Sequence, residues 1–354
     1  MTVEDNLHAL LDQVFTTRDF RLTSGRILPE LRIAYETYGR PAPDRANTVL
    51  LTHGYTSSHH MVGPPGSTTL AEGLWNGLVG PGKAIDTEHL FVVSSNMLGS
   101  SYGSTGPAHE NPSTGRPYGP DFPDIALVDI VTAQRALLKH LGVDHLVAVI
   151  GPSYGGFQAF QWAVTFPGFV DGIAPVTTDF KSNDDSTAGL NAMIARLESD
   201  PNWHGGHHYE HGGVLDTMTQ IRVDTLINYG IHELLAADFP NLAARKAEIE
   251  RMARKWALEF DANSLIALGR ASARFNVEND LRRIKARVLF VLSRTDKVFP
   301  PSLAPGVMTR LQEAGVRAEY FEIDSELGHT AAGLDGAKWA PKLAEFMAQI
   351  TGRG

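Results

Sequence analysis

Leu146-Val-Ala-Val-Ile-Gly151-Pro-Ser153-Tyr-Gly155-Gly156-Phe-Gln158 joins five apolar residues to a helix-forming segment through a glycine-flanked serine. The apolar run is short and unbroken, as expected of a strand covered on both faces. From Gln158 to Phe166 the pattern reads as a helix closed by Pro167, because the residue before a proline disfavours helical geometry. Between strand and helix, Gly151-Pro-Ser-Tyr-Gly155 fits G-x-S-x-G. A serine on such a turn sits in a strained conformation that lifts its hydroxyl clear of the sheet. Its neighbours two residues to either side must lack a Cβ, and Gly156 lets the helix approach the sheet. The helix N-terminus then offers N–H donors and a positive dipole end where an oxyanion would form.

Working outward, further buried strands are expected at Thr48–Thr52, Leu90–Ser94, Gly172–Val176, Val288–Leu292 and Ala318–Ile323. Their alternation with helical patterns predicts a parallel sheet with crossover helices, an α/β fold. RLTSGRILPELRIAYETYG reads as two antiparallel strands joined at Leu28-Pro29 and ending at Gly39. A helix is predicted to start near Pro123, capped by Asp121 or Asp124, with Leu127, Val131, Leu138 and Leu141 on its apolar stripe. Gly142 would stop it. Between Thr178 and Arg283 helical patterns replace strands, for example at Asn241 to Phe260 and Ser264 to Phe275. The expected organisation is a core of residues 1–178 and 284–354 with a helical cap of residues 179–283.

The chain has 354 residues, 40 acidic and 31 basic, for a formal charge of −9. Hydrophobic residues make up 43% and charged residues 20%, which excludes disorder or coiled coil as whole-chain descriptions. The acidic balance argues against nucleic-acid or membrane partners, since phosphate surfaces demand a basic face. There is no cysteine, so disulfides, thiolate nucleophiles and Cys-ligated metals are excluded. The stretch MTVEDNLHALLDQVFTTRDF has no apolar core of signal-peptide length, and nowhere do about 18 apolar residues run together. The expectation is a soluble, cytoplasmic protein.

A serine hydroxyl needs a base oriented by a third group, and on this scaffold the chain order is serine, acid, histidine. His329 follows the last expected strand, in Asp324-Ser-Glu-Leu-Gly-His329. Asp296 follows the Val288–Leu292 strand, and Asp324 is the rival acid. His329 would take the proton from Ser153, and Asp296 would hold the imidazole in its productive tautomer. Two backbone N–H groups would form the oxyanion hole, one from Tyr154 and one from the loop after Thr52, most plausibly Tyr55. His53 is expected to brace that loop. The Tyr154 side chain is expected to wall the acyl pocket. His204, His207, His208 and His211 lie in a glycine-broken stretch and read as a solvated cap loop, so no metal site is expected.

Several longer motifs then resemble the homoserine O-acetyltransferase family. They include Leu78-Val-Gly-Pro-Gly-Lys-Ala-Ile-Asp86, Ser95-Asn-Met-Leu-Gly99 and Asn111-Pro-Ser-Thr-Gly-Arg-Pro-Tyr-Gly119, with Asp121-Phe-Pro123, Asp200-Pro-Asn-Trp-His-Gly-Gly206 and Phe260-Asp-Ala-Asn-Ser264. The resemblance implies an α/β-hydrolase fold with an inserted helical cap, a ping-pong route through an acyl-serine, and a homodimer formed through the cap. It carries the nucleophile to Ser153, the acid to Asp296 and the base to His329. Three departures stand out. The family's G-G-S-M-G-G is Gly151-Pro-Ser-Tyr-Gly-Gly156 here. Its G-H-D motif, whose aspartate is thought to meet the substrate amino group, ends in Thr330. The cap arginine that meets the substrate carboxylate has only Arg222 as a stand-in.

A zwitterion in a low-dielectric cleft needs both a cation and an anion placed for it. The expectation is therefore a serine esterase acting on short, acetyl-type esters. The alternative is an acetyl-CoA-dependent O-acetyltransferase acting on homoserine, serine or another small alcohol. No cofactor is expected, with acetyl-CoA a co-substrate only in the second case. The expected partner is a small-molecule ester or acyl donor.

Overall fold

An eight-stranded sheet organises the chain in the computed structural model, which describes residues 10–63, 74–183 and 185–352. Residues 1–9, on which the absence of a leader was partly read, lie outside the described residues. The strands are β1 (Leu10–Arg21), β2 (Ile27–Tyr38), β3 (Thr48–Thr52), β4 (Phe91–Ser95), β5 (Leu146–Pro152), β6 (Val170–Val176), β7 (Arg287–Ser293) and β8 (Ala318–Ile323). Their spatial order is β1-β2-β4-β3-β5-β6-β7-β8. The first two pairings are antiparallel and the other five are parallel.

Central strand β5 sends alternate side chains to opposite faces. Val149 joins an apolar cluster with Leu50, Phe160 and Phe290, while Ile150 joins another with Leu51, Val291 and Phe346. Helices α1 (Leu127–His140) and α2 (Tyr154–Thr165) pack on each other. Buried Gln134 and Gln158 bond to each other across that contact at 2.7 Å. Later, α7 (Ala304–Glu313) makes the crossover from β7 to β8, and α8 (Ala340–Thr351) follows the last strand.

Two expected boundaries move. The first hairpin turns at Leu22–Arg26, not at Leu28-Pro29. Gly25 takes a φ of 85° there, and Pro29 sits inside β2. β2 pairs with β4 only over Tyr35–Tyr38, so the proline's missing N–H interrupts no ladder on that side. Helix α1 begins at Leu127, not near Pro123. Its first turn is capped by Asp129, which accepts from the Ala126 N–H at 2.9 Å and the Thr23 N–H at 2.7 Å.

The four longer helices described in the interval between β6 and β7 are α3 (Ser186–Glu198), α4 (Leu215–Asn228), α5 (Leu242–Ala257) and α6 (Ala262–Ala273). Asn241 and Asp261 cap α5 and α6 with their side chains. The loop after β3 ties this layer to the sheet. The Tyr55 hydroxyl donates to the Leu265 carbonyl, and the Trp256 indole N–H donates to the Thr56 carbonyl at 3.0 Å. No described helix is long and apolar enough to cross a membrane.

The β5–α2 turn presses directly on β3. A Cβ added at Gly151 or Gly155 would collide with the Thr52 carbonyl oxygen, and one at Gly156 would collide with the Thr178 side chain. Gly306 in α7, by contrast, faces open space. Gly155→Ala is therefore expected to lose roughly 3 kcal/mol or more in chemical denaturation, or to yield no soluble protein. Gly306→Ala should gain about 0.5–1 kcal/mol. Equal stability of the two variants would refute this account of the turn.

Candidate active site

Ser153 sits at φ 55° and ψ −119°, between the end of β5 and the first residue of α2. A non-glycine residue at positive φ is strained by about 1–3 kcal/mol and persists only where its surroundings hold it. Here its N–H donates to the Val176 carbonyl at 2.8 Å. Its carbonyl accepts from the Gly156 N–H at 2.8 Å, the Phe157 N–H at 3.2 Å and the Thr178 hydroxyl at 2.9 Å. The Tyr154 N–H opens the helix and has no intrahelical acceptor.

His329 and Asp296 emerge from the loops after β8 and β7. They meet through a 2.8 Å bond between His329 Nδ1 and Asp296 Oδ2, and both side chains are buried. The other Asp296 oxygen accepts from the Val298 and Phe299 N–H groups at 2.8 and 3.2 Å. These bonds fix the carboxylate before the histidine is considered. His329 Nε2 is buried without a partner. Asp324 is exposed and pairs with Arg294 at 2.7 Å, so of the two acids it is Asp296 that meets the imidazole.

Ser153 and His329 line one open cleft, together with Gly54, Tyr55, Thr56, Arg222, Tyr229 and Thr330. Leu74, Trp75 and Ala332 give it an apolar wall. Arg222 is buried, with its guanidinium 4.9 Å from the Trp256 ring centre and a 2.6 Å bond to the Thr56 hydroxyl. Its Nε has no partner, and no carboxylate pairs with it among the described residues. Burial lowers its pKa, an effect opposed by the nearby Tyr229 and Tyr102 hydroxyls. The Thr330 hydroxyl faces its own loop, donating to the Leu327 carbonyl at 2.7 Å.

Tyr154 departs from expectation. Its side chain is absent from the cleft lining; it stacks on Tyr55 with ring centres 5.8 Å apart, and its hydroxyl donates to the Leu268 carbonyl at 3.2 Å. The ring anchors α6 instead of walling an acyl pocket. Tyr154 follows Ser153 and Tyr55 lines the same cleft, and the rings of both hold α6 through its Leu265 and Leu268 carbonyls. Tyr229, whose ring lies 4.7 Å from that of His329, was not singled out in the sequence. The signal was available, because Arg222 and Tyr229 are seven residues apart, two turns along one helical face.

His53 is buried, with Nε2 2.8 Å from Asn96 Oδ1 and Nδ1 2.9 Å from the Gly54 carbonyl oxygen; a neutral ring donates to one of the two. Burial pushes its pKa down to about 4, so the neutral ring braces the loop. The cap histidines do not converge. His204 stacks on His211 at 3.6 Å, whereas His208 is buried against Trp203.

Comparison with known proteins agrees with this fold. Residues 47–332 match the family model for the alpha/beta hydrolase fold. The homoserine O-acetyltransferase of Geobacter sulfurreducens is 35% identical, over 94% of this chain and 95% of that protein. Two solved structures superpose over 96% of this chain at 28% identity. Esterase E22 does so with a TM-score of 0.88 over 100% of its own chain, and the homoserine O-acetyltransferase of Bacillus anthracis with 0.86 over 97%. The chain belongs to the homoserine O-acetyltransferase family of α/β-hydrolase-fold enzymes.

Proposed function

We propose that the protein is a serine O-acyltransferase, moving a short acyl group from a thioester donor such as acetyl-CoA to the hydroxyl of a small hydroxylated carboxylic acid. The observation that carries this reading is the buried, unpartnered His329 Nε2 in the cleft that Ser153 lines, with Nδ1 held by Asp296. Ser153 Oγ attacks the thioester carbonyl while His329 Nε2 takes its proton. The resulting oxyanion is met by the Tyr154 and Tyr55 N–H groups. Collapse expels the thiol, which regains the proton from His329 and leaves an acyl-serine. The acceptor hydroxyl, deprotonated by the same nitrogen, then takes the acyl group and regenerates Ser153.

Arg222 shapes the choice of acceptor. A buried guanidinium facing a cleft without a carboxylate partner is costly unless an anion completes it, and a substrate carboxylate is such an anion. The described lining has no carboxylate to receive an ammonium group, because Thr330 stands where the family usually has aspartate. Acceptor recognition therefore rests on the carboxylate. Thr330 and the likeness to esterase E22 favour a second reading, in which water replaces the acceptor and the reaction is ester hydrolysis. The relatives' names favour transfer over the hydrolysis expected from the sequence.

Acetyl-CoA offered with homoserine or with 4-hydroxybutyrate, with free thiol followed over time, separates the two. Transfer predicts acceptor-dependent thiol release, with the two acceptors within about tenfold of each other because the amino group is unread. Release at the same rate without acceptor, matched by p-nitrophenyl acetate hydrolysis, would establish hydrolysis instead.

Asp296→Asn should lower kcat by about 10⁴-fold through the wrong imidazole tautomer. Asp324→Asn should leave it within about twofold, since exposed pairs contribute little; the reverse ranking would assign the acid wrongly here. Arg222→Gln should reduce acceptor kcat/KM roughly 10- to 100-fold while sparing hydrolysis of the neutral p-nitrophenyl acetate. An equal loss with both substrates would remove the carboxylate role.

A further inference from the structure

Away from the cleft, Asp12 on β1, Glu36 on β2, and His59 and His60 on the loop after β3 place one ligand atom each within 4.8 Å of one another. Asp12 takes a φ of 52° beside the irregular pairing between Leu10 and Gln13. Glu36 is buried, and its two oxygens are met by His60 Nδ1 at 2.7 Å and by the Tyr38 hydroxyl. That contact fixes the ring of His60, whose Nε2 lies 4.0 Å from Asp12 Oδ1. The gap is too long for a hydrogen bond. Two ligands of a tetrahedral ion with bonds of about 2.0–2.2 Å stand roughly 3.4 Å apart, so the exposed Asp12 carboxylate has to move inward by only about half an ångström to share an ion with His60.

His59 supplies the independent observation. It is 2% exposed, and neither of its ring nitrogens has a hydrogen-bond partner. A buried polar group left this way is unusual in a folded protein.

We propose that Asp12, His59 and His60 bind a divalent transition-metal cation of the zinc class, with Glu36 orienting His60 through its Nδ1. Two imidazoles with a carboxylate suit zinc or cobalt(II), whereas magnesium and calcium prefer all-oxygen sets. The site joins the first hairpin to the loop that carries Tyr55 and Thr56, so its role is to brace that loop, with no part in acyl chemistry.

The test uses the full-length protein, stripped with a chelator and titrated with Zn²⁺ by calorimetry and with Co²⁺ by its visible absorption. One equivalent should bind, with Co²⁺ giving the intense bands of a tetrahedral site, and thermal stability should rise on loading. His59→Gln should weaken binding by at least about tenfold. His60→Gln and Asp12→Asn, at less buried positions, should do the same and serve if the first variant does not fold. A His204→Gln/His211→Gln variant should bind like the parent. The proposal is overturned if no stoichiometric binding occurs, or if binding survives all three ligand changes or disappears with the cap histidines.

Discussion

The structure depends on backbone meeting backbone where the β5–α2 turn lies on β3. Gly151 and Gly155 both abut the Thr52 carbonyl, and the Thr52 hydroxyl donates to the Gly155 carbonyl at 2.9 Å. No side chain separates the two segments, so the turn cannot relax without displacing the central strand. This confinement holds Ser153 at positive φ against its own preference. The same contact sets the start of α2 beside the loop after β3. Serine, helix N-terminus and the Gly54 stretch of the loop after β3 therefore lie together because of one steric fact.

The cleft's electrostatics are arranged in two layers. Behind the serine, the Asp296–His329 pair is buried and doubly anchored by main-chain N–H groups, which leaves one nitrogen free to carry a proton. Above it, Arg222 is kept by aromatic and hydroxyl contacts that lessen the cost of its burial without cancelling its charge. Tyr55 and Tyr154 couple these layers, since each reaches an α6 carbonyl from beside the serine turn. A shift of the cap would thus be felt at the two main-chain segments nearest Ser153.

Much of this was legible in the sequence where a local rule had one solution. The apolar run at Thr48–Thr52 became a wholly buried strand at those bounds, since nothing but a covered sheet accommodates it; Ala318–Ile323 kept its bounds too, but as the sheet's edge strand with two glutamates it is only partly buried, not covered as expected. The G-x-S-x-G turn announced its geometry because only glycines tolerate the approach to Thr52. Features set by distant partners were harder to read. Pro29 looked like a turn residue because the free side of β2 is a property of the assembled sheet. Asp129 was missed as the α1 cap because two of its three side-chain hydrogen bonds come from Thr23, far away in the chain. The Tyr154 ring was misdirected because proximity in sequence to a nucleophile says nothing about which way a side chain leaves the helix. His59, with no periodicity or motif around it, gave no sign of being buried.

The central claim is that Ser153 carries the acyl group between donor and acceptor. Brief incubation with acetyl-CoA alone, acid quenching and peptide mass spectrometry test it directly. The account predicts one acetyl group on the peptide containing Ser153, discharged when acceptor is added before the quench and absent from the Ser153→Ala protein. Acetylation of another residue, or turnover by the Ser153→Ala protein at the parent rate, would contradict it.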